Sequence, residues 1–443
     1  MSLVLWFLDF TRTDDSQVVQ EYDHRVYRLG DTLEGILGHS WFSRVWIIQE
    51  VLLATDVQII TLNGRSLSLP WNMIDKATRQ LAEGQGFKRK SVVSRALELM
   101  DMRKEFAQSR SIGLASALRL AHNSAATDPR DKIFGLLGIC NSLRENIDAT
   151  YTKSVGEVWQ NATATMLSAH GLRAFNYLTT AGCLEDANFP SWVADFGRLT
   201  PASRGWINWP ESTAEHGTET YRLDGQRLQV SGAIVDRILY VYDLNMNQNT
   251  RMASQVWYNW LEFAGGDKSI NTVYPGSENR WRLDLTTAEP MQVVFWRTMF
   301  QDTQRRIRDC DDLTRWHEWF CAEAGTNILY WDSVLLNGRD SEPCVISRTT
   351  DYGEMTVTLA QLRLFTAQKK MCWTRGVKLG IAPDEVREGD LVAVLAGYAS
   401  PVVVRPGIAD GAYRLICPVY IHGMMDGEAH PAFQGDYRPL ILE

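Results

Sequence analysis

A stretch of ten residues, Trp41 to Glu50, constrains the fold of this chain more than any other feature. Its sequence, WFSRVWIIQE, is apolar at most positions. At about 100° per residue, these apolar side chains cover most of the circumference of a helix. A helix that is apolar on most sides is buried. The stretch therefore predicts one continuous buried helix, with Ser40 as its N-cap.

Glu50 is the residue of this stretch that poses the sharpest question. A carboxylate among apolar neighbours is unfavourable unless it is paired or hydrogen-bonded. One interpretation is a buried ion pair between Glu50 and an arginine, either Arg44 or, from a later segment, Arg130. The other interpretation is a carboxylate held in a pocket for acid–base or nucleotide chemistry. The sequence leaves both open, and Glu50 is the one catalytic candidate.

A second motif begins at Asp128 and reads DPRDKIFGLLG. Asp128 is placed to cap a helix that has Pro129 at its first position, which is a strong start signal. Arg130 and Asp131 then form a capping and surface pair, unless Arg130 is the buried partner of Glu50. The apolar residues that follow predict a face against a core.

Composition limits the classes of protein to which the chain can belong. Its 443 residues are 45% hydrophobic, which is enough for a sizeable core and predicts two or three domains or subdomains. A net charge of −8 without a basic run argues against nucleic acid as a partner. The seven cysteines are scattered without a C-x-x-C pair, which indicates reduced thiols rather than a zinc site. No apolar run is long enough to span a membrane, so a cytoplasmic protein is expected.

The sequence changes character along the chain from helical to β. Helices are predicted through the first part, interrupted by a hairpin over 57–64 and a second one, with a D-G turn, near 220–240. From Met371 onward, short strands separated by Gly and Pro predict a small sheet or barrel. Close to the end, His422, Asp426 and Glu428 could suggest a metal site, but their spacing matches no metal motif. The favoured interpretation is a tight turn in which His422 and Asp426 satisfy backbone groups, and no metal is expected.

These motifs together resemble the fungal heterokaryon incompatibility (HET) family. WFSRVWIIQE is similar to the W-F-x-R-x-W-x-x-Q-E signature of the HET domain, and DPRDKIFGLLG to the element that follows it. The segment PSWVAD, which begins at Pro190, resembles a further element of the family. The family's C-terminal pattern resembles Gly376 to Gly380, Gly389-Asp390 and YIHGMMDGE, which begins at Tyr420.

The resemblance implies a fold and a possible chemistry. The HET domain is thought to be a distant relative of the TIR fold, in which NAD-cleaving enzymes carry a glutamate in a W-x-x-x-E arrangement similar to Trp46–Glu50. The strand and loop with which the family's domain normally opens have no counterpart here. Either the true start precedes Met1, or the protein has lost the front half of the fold. Because a dinucleotide needs the loops of that half, no NAD hydrolysis and no cofactor are expected.

The sequence favours one fold class and two functional hypotheses. The fold class is α+β: a truncated TIR-like remnant over 1–64, a mainly helical region over 65–370 with the embedded hairpin, and a β-rich subdomain over 371–443. The first hypothesis is a heterokaryon incompatibility protein that acts in non-self recognition and cell death by binding another protein. The alternative is a cofactor-free cyclase or isomerase of secondary metabolism that binds a hydrophobic small molecule. The candidate binding or structural network consists of Trp41, Arg44, Trp46, Gln49, Arg130, Asp131, His422 and Asp426.

Overall fold

A computed structural model gives the architecture of the chain. It describes residues 33, 35–62, 66–83, 91–122, 124–176, 189–197, 221–242, 260, 264, 291–300, 369–398, 400–425, 427–429 and 437–443. These residues form two compact units, one up to Thr165 and one from Met166 onward. The predicted mixed α+β class is confirmed, with helices in the N-terminal and middle parts and a β-rich C-terminal sheet. The apolar run LVLWFLD, which begins at Leu3 and predicts a strand, lies outside the described residues.

The first unit is mainly helical. Its helices are α1 Ser40–Ser43, α2 Ile47–Leu53, α3 Trp71–Glu83, α4 Ser91–Ser109, α5 Leu114–His122, α6 Asp131–Phe134, α7 Asn141–Arg144 and the long helix α8 Val155–His170, whose last residues belong to the second unit. The predicted hairpin after Val57 is confirmed, since β1 Gln58–Leu62 pairs antiparallel with β2 Ser66–Pro70.

The predicted single helix over Trp41 to Glu50 is wrong, because the structure breaks it at Arg44. Arg44 is extended, with φ −72° and ψ 144°, and forms a parallel bridge with Ala125. The N-cap is also different: His39 Nδ1 accepts from the backbone N–H of Trp41, and Ser40 is the first helical residue. The break separates α1 from α2, so each packs its own apolar residues.

The second unit is built on a β-sheet. After a 3-10 helix over Gly171–Asn176 come β3 Tyr221–Asp224 and β4 Arg227–Tyr242, then helix α9 Met291–Phe300. The C-terminal strands are β5 Lys369–Thr374, β6 Leu379–Pro383, β7 Leu391–Leu395, β8 Val402–Pro406, β9 Ala412–Pro418, β10 Tyr420–Ile421 and β11 Arg438–Leu442. The predicted hairpin near 220–240 and the predicted C-terminal strands are thus both present.

Five strands of this sheet close into a ring. Strand β4 pairs with β11, followed in order by β9, β8 and β7, and β7 pairs again with β4. The β11–β9 pairing is parallel and the other four are antiparallel. A closed ring leaves these strands without a free edge between them. Beyond the ring, β5, β6 and β10 continue the sheet from the far end of β4.

Strand β4 can serve both parts of the sheet because it is long and irregular. Its pairing register shifts between Ile234 and Asp236 and again between Ile238 and Tyr240. Such bulges bend a strand and increase its twist. At the point of closure, Gly232 pairs with both β7 and β11, and a Cβ there would lie 2.7 Å from a Leu440 side-chain atom. Only glycine allows that close approach.

Candidate functional site

The two N-terminal motifs lie against each other in the first unit. The backbone N–H of Val45 donates to the Ala125 carbonyl at 2.9 Å, and that of Ala125 donates to the Ser43 carbonyl at 2.5 Å. Further along, Gly135 lies against Val45, where a Cβ would lie 3.0 Å from a Val45 methyl group. The motif that begins at Asp128 is therefore docked directly on the tryptophan-containing stretch.

Asp131 joins the two motifs through its side chain. Its carboxylate accepts the Trp46 indole N–H at 3.1 Å on one oxygen and the Tyr151 hydroxyl at 2.6 Å on the other. The hydrogen bond from the neutral phenol to Asp131 raises the pKa of Tyr151 to about 12. The Phe134 ring meets the Tyr151 ring edge-on, with centroids 5.2 Å apart. A half-exposed tyrosine is thereby held in one orientation.

Gln49 makes a second connection between the motifs. Its side-chain amide donates to the Phe134 carbonyl at 2.8 Å, near the end of helix α6. A Cβ on Gly138 would overlap the Gln49 carboxamide, so the glycine makes room for this contact. Of the predicted network, Trp46, Gln49 and Asp131 are therefore brought together by the fold.

Arg130 belongs to the same region, but it does not pair with Glu50 as one alternative predicted. Its guanidinium donates to both oxygens of Asp128, at 2.9 and 2.6 Å, and to the backbone carbonyls of Tyr151 and Lys153. These hydrogen bonds lower the pKa of the Asp128 carboxyl. The guanidinium also lies 5.1 Å from the centre of the Tyr151 ring. Asp128 therefore anchors an arginine, and the helix begins two residues later than predicted, at Asp131 instead of Pro129.

The expected burial of Glu50 is wrong. Glu50 is exposed, as is Arg44, and in the part of the chain that the structure describes no ion pair joins Glu50 to an arginine. Helix α2 buries Ile47, Ile48, Val51 and Leu52, so Glu50 lies on the opposite face. The stretch looked apolar all round because Trp46 and Leu53 lie on that outer face as well. Trp41 is half-buried against the Phe42 ring, with centroids 5.0 Å apart.

Sequence reasoning missed Lys132, the most buried charged residue of the second motif. Its ammonium donates to the Ala121 carbonyl at 3.1 Å and to the Ser124 carbonyl, just after the end of helix α5. Burial, and to a lesser extent the nearby Arg95 guanidinium, lowers the pKa of Lys132 to about 8. Arg95 in turn donates to the Ser124 hydroxyl at 2.8 Å. The only signal in the sequence was a lysine next to an apolar run.

The C-terminal glycine motif is explained by contacts in the second unit. The Gly376 N–H donates to the Asp236 carboxylate at 3.1 Å, beside the bulged part of β4. At Gly380, a Cβ would lie 2.8 Å from the Tyr420 carbonyl oxygen. Both glycines therefore sit where a backbone or a carboxylate approaches too closely for a side chain.

The Gly389-Asp390 pair holds the ring together near its closure. The Asp390 carboxylate is buried and accepts from Arg405 of β8 at 2.7 and 2.9 Å and from the Arg387 N–H at 2.8 Å. The Asp390 carbonyl accepts from the Ile238 N–H of β4 at 2.8 Å. This carboxylate is fully used in binding neighbouring chain segments.

His422 lies in a turn, as predicted, and its side chain is buried. Its backbone N–H donates to the Leu379 carbonyl at 2.9 Å, and its Nδ1 lies 3.4 Å from the Tyr420 hydroxyl. Gly423 and Gly427 have positive φ values of 73° and 85°, which fits the turn. Asp426 lies outside the described residues. Among those described, no three His, Cys, Asp or Glu side chains are grouped closely enough to hold a metal ion.

The segment that begins at Pro190 is buried in the second unit. The Ser191 hydroxyl accepts the Leu415 N–H at 2.8 Å, and the Ser191 N–H donates to the Glu443 carbonyl at 3.0 Å. The Trp192 indole donates to the Gln226 carbonyl at 2.9 Å, in the turn between β3 and β4. The segment thus links the β3–β4 turn with strand β9 and the C-terminal residue.

Comparison with protein families finds a match in the C-terminal part of the chain. Residues 350–435 match the family model of the Het-6 beta-barrel domain. This domain is found in HET-associated fungal proteins, and the match supports a heterokaryon-incompatibility-related protein. The Het-6 match covers β5 to β10, whereas β4 and β11, which close the ring, lie outside it.

The other comparisons add no relative. No HET domain is detected, so the HET half-domain predicted over 1–64 stays a prediction. No curated protein and no solved structure matches the chain significantly. None of the described helices is both long and apolar enough to cross a membrane.

Proposed function

We propose that this protein acts in fungal heterokaryon incompatibility, the recognition of non-self that ends in cell death, by binding another protein. The single observation that carries the proposal is the Het-6 barrel match over residues 350–435. The sheet in that region supports it, because its motif residues Gly380 and Asp390 fix the packing of neighbouring chain segments. A rigid scaffold that displays surface loops suits recognition.

We propose further that Glu50 has no catalytic role in NAD cleavage. A carboxylate accelerates the breaking of a glycosidic bond only when the sugar and the carboxylate are held in a defined geometry. Glu50 is exposed, and within the described residues no hydrogen bond or ion pair fixes its carboxylate. Nearby, the Trp46 indole donates to the Asp131 carboxylate, and the Gln49 amide donates to the Phe134 carbonyl.

The proposal is tested by genetics in the fungus that encodes the protein. The gene is deleted, and the deletion strain is paired with a panel of wild isolates while hyphal fusion cells are stained for death. Deletion is expected to convert at least one incompatible pairing into a compatible one, and the wild-type gene is expected to restore the reaction. Glu50→Gln should restore it equally well, whereas Asp390→Ala, which removes the buried carboxylate of the ring, should not. A deletion strain whose pairings are all unchanged contradicts the proposal.

A further inference from the structure

Strand β3 is an exposed edge strand of the second unit. All four of its residues, Tyr221–Asp224, are exposed, and Leu223 is 39% exposed. In the described part of the chain, β3 pairs with β4 and with no other strand. An exposed edge presents backbone N–H and C=O groups on which another strand can add.

The hairpin geometry shows which backbone groups face outward. Asp224 pairs with Arg227 across a two-residue turn, in which Gly225 has a φ of +59°. The two residues that flank such a turn exchange backbone hydrogen bonds with each other. Along the ladder, hydrogen-bonded pairs of this kind alternate with pairs that are not hydrogen-bonded. The N–H and C=O of Leu223 therefore point away from β4, and those of Arg222 and Asp224 point toward it.

We infer that β3 binds a second copy of this chain, strand to strand and antiparallel, with Leu223 opposite Leu223 of the second copy. In this arrangement Leu223 of each copy exchanges both backbone hydrogen bonds with its equivalent. Arg222 of each copy then lies opposite Asp224 of the other, so two ion pairs form across the two-fold axis. A symmetric contact of this kind uses the same surface on both copies.

Charge selects this register over its neighbours. Shifting the strands so that the axis passes through Arg222 places two guanidinium groups opposite each other. A shift in the other direction does the same with two Asp224 carboxylates. Like charges directly opposite each other in a ladder are destabilising, and opposite charges are stabilising. Arg222 and Asp224 are exposed and, among the described residues, make no ion pair within their own chain, so both are available.

Charged side chains on an edge strand often prevent another strand from pairing with it. Here the order Arg222, Leu223, Asp224 places opposite charges next to each other when two copies pair antiparallel. The strand is only four residues long, so the contact is small and the association weak. It should be seen at protein concentrations of about 0.1–0.5 mM rather than at high dilution. This inference does not depend on the proposed role in incompatibility.

The test uses charge reversal in the full chain, followed by sedimentation equilibrium. Arg222→Asp places two carboxylates against those of a second copy, and Asp224→Arg places two cations against cations, so each variant should dimerise at least about tenfold more weakly. An equimolar mixture of R222D and D224R should associate, since opposite charges then face each other in the mixed pair. The double variant R222D/D224R should dimerise like the wild type.

Two controls separate this contact from other effects. Asp410→Arg reverses an exposed charge in the turn between β8 and β9 and should leave the association unchanged. Circular dichroism should show an unaltered fold in every variant. The inference is overturned by a wild-type chain that stays monomeric over this concentration range, by single variants that dimerise as before, or by a mixture of the two single variants that stays monomeric.

Discussion

At the scale of single residues, the carboxylate of Asp131 connects separated segments of the first unit. It accepts one hydrogen bond from Trp46 and one from Tyr151, on different oxygens. Hydrogen bonds to a charged group stabilise a fold by more than those between neutral groups. Residues from three separated segments thus depend on one side chain.

Asp131→Ala should lower the free energy of unfolding by about 2–3 kcal/mol, because both donors lose their charged acceptor. It should also lower the pKa of Tyr151, since the bond to Asp131 is the main cause of its rise to about 12. Urea unfolding and ultraviolet titration of the phenol, with Tyr151→Phe as the blank, measure the two effects. Asp148→Ala is the matched control, because that side chain is 92% exposed. A Tyr151 pKa that stays at its raised value would show that another group sets it.

Glu50 and Gln49 are neighbours in sequence with opposite environments. Glu50→Ala should change the free energy of unfolding by less than about 0.5 kcal/mol, because the side chain is exposed. Gln49→Ala should cost about 1 kcal/mol, since the Phe134 carbonyl loses the shorter of its two hydrogen bonds and keeps the one from the Leu137 N–H. Urea unfolding of both variants beside the wild type decides the matter. A Glu50→Ala variant destabilised as much as Gln49→Ala would indicate a buried partner for the glutamate.

At the scale of elements, Lys132 connects helix α6 to the C-terminal end of helix α5. Its ammonium donates to the carbonyl of Ala121, in the last turn of α5, where positive charge is favoured by the helix dipole. Burial nevertheless makes the charged form costly, and this lowers the pKa of Lys132 from 10.5 to about 8. In the Lys132 ammonium, the favourable hydrogen bond to helix α5 and the unfavourable burial of a charge therefore oppose each other.

The pH dependence of stability follows from this lowered pKa. Between about pH 8 and 10.5 the unfolded chain binds more protons at Lys132 than the folded chain does, so stability rises with pH through this window. Relative to Lys132→Met, the wild type should gain up to about 3 kcal/mol from the lower to the upper pH. Urea unfolding at several pH values measures the difference. Lys153→Met serves as the control. If the difference in free energy of unfolding between the wild type and Lys132→Met does not change with pH, the prediction is wrong.

At the scale of the whole molecule, the closed ring of the second unit is made from distant parts of the sequence. Strand β4 ends at Tyr242, and its neighbour β5 begins only at Lys369. Strand β4 also pairs with β3, β7 and β11. The C-terminal strands therefore need β4 to close the sheet.

Residues 371–443 expressed alone should not fold, because the strands that remain lack β4 and leave the edges of β7 and β11 unpaired. An amide nuclear magnetic resonance spectrum should show poor dispersion. Adding 221–242 through a flexible linker should increase the dispersion, whereas a linked segment with the same composition in shuffled order should not. A well-dispersed spectrum from 371–443 alone would show that β4 is dispensable.

Local features of this protein were predictable because their causes are local. Asn63-Gly64 and Asp224-Gly225 indicated hairpins, and short apolar runs bounded by Gly and Pro indicated the C-terminal strands. The turn at His422 followed from the neighbouring glycines in the same way. The relation to heterokaryon incompatibility proteins was also visible in motif residues, and the Het-6 barrel match supports it.

Contacts between distant segments determine which face of each element is covered, and by what. Periodicity counted Trp46 as a core residue, but its indole reaches Asp131, 85 positions away, and the helix therefore turns Glu50 outward. The sequence offered Asp131 and Glu50 as partners of Arg130, but in the structure its guanidinium pairs with Asp128. The sequence determined the local elements because backbone preference acts over a few residues. The break at Arg44 and the closure of the ring depend on contacts between distant segments, which no local pattern encodes.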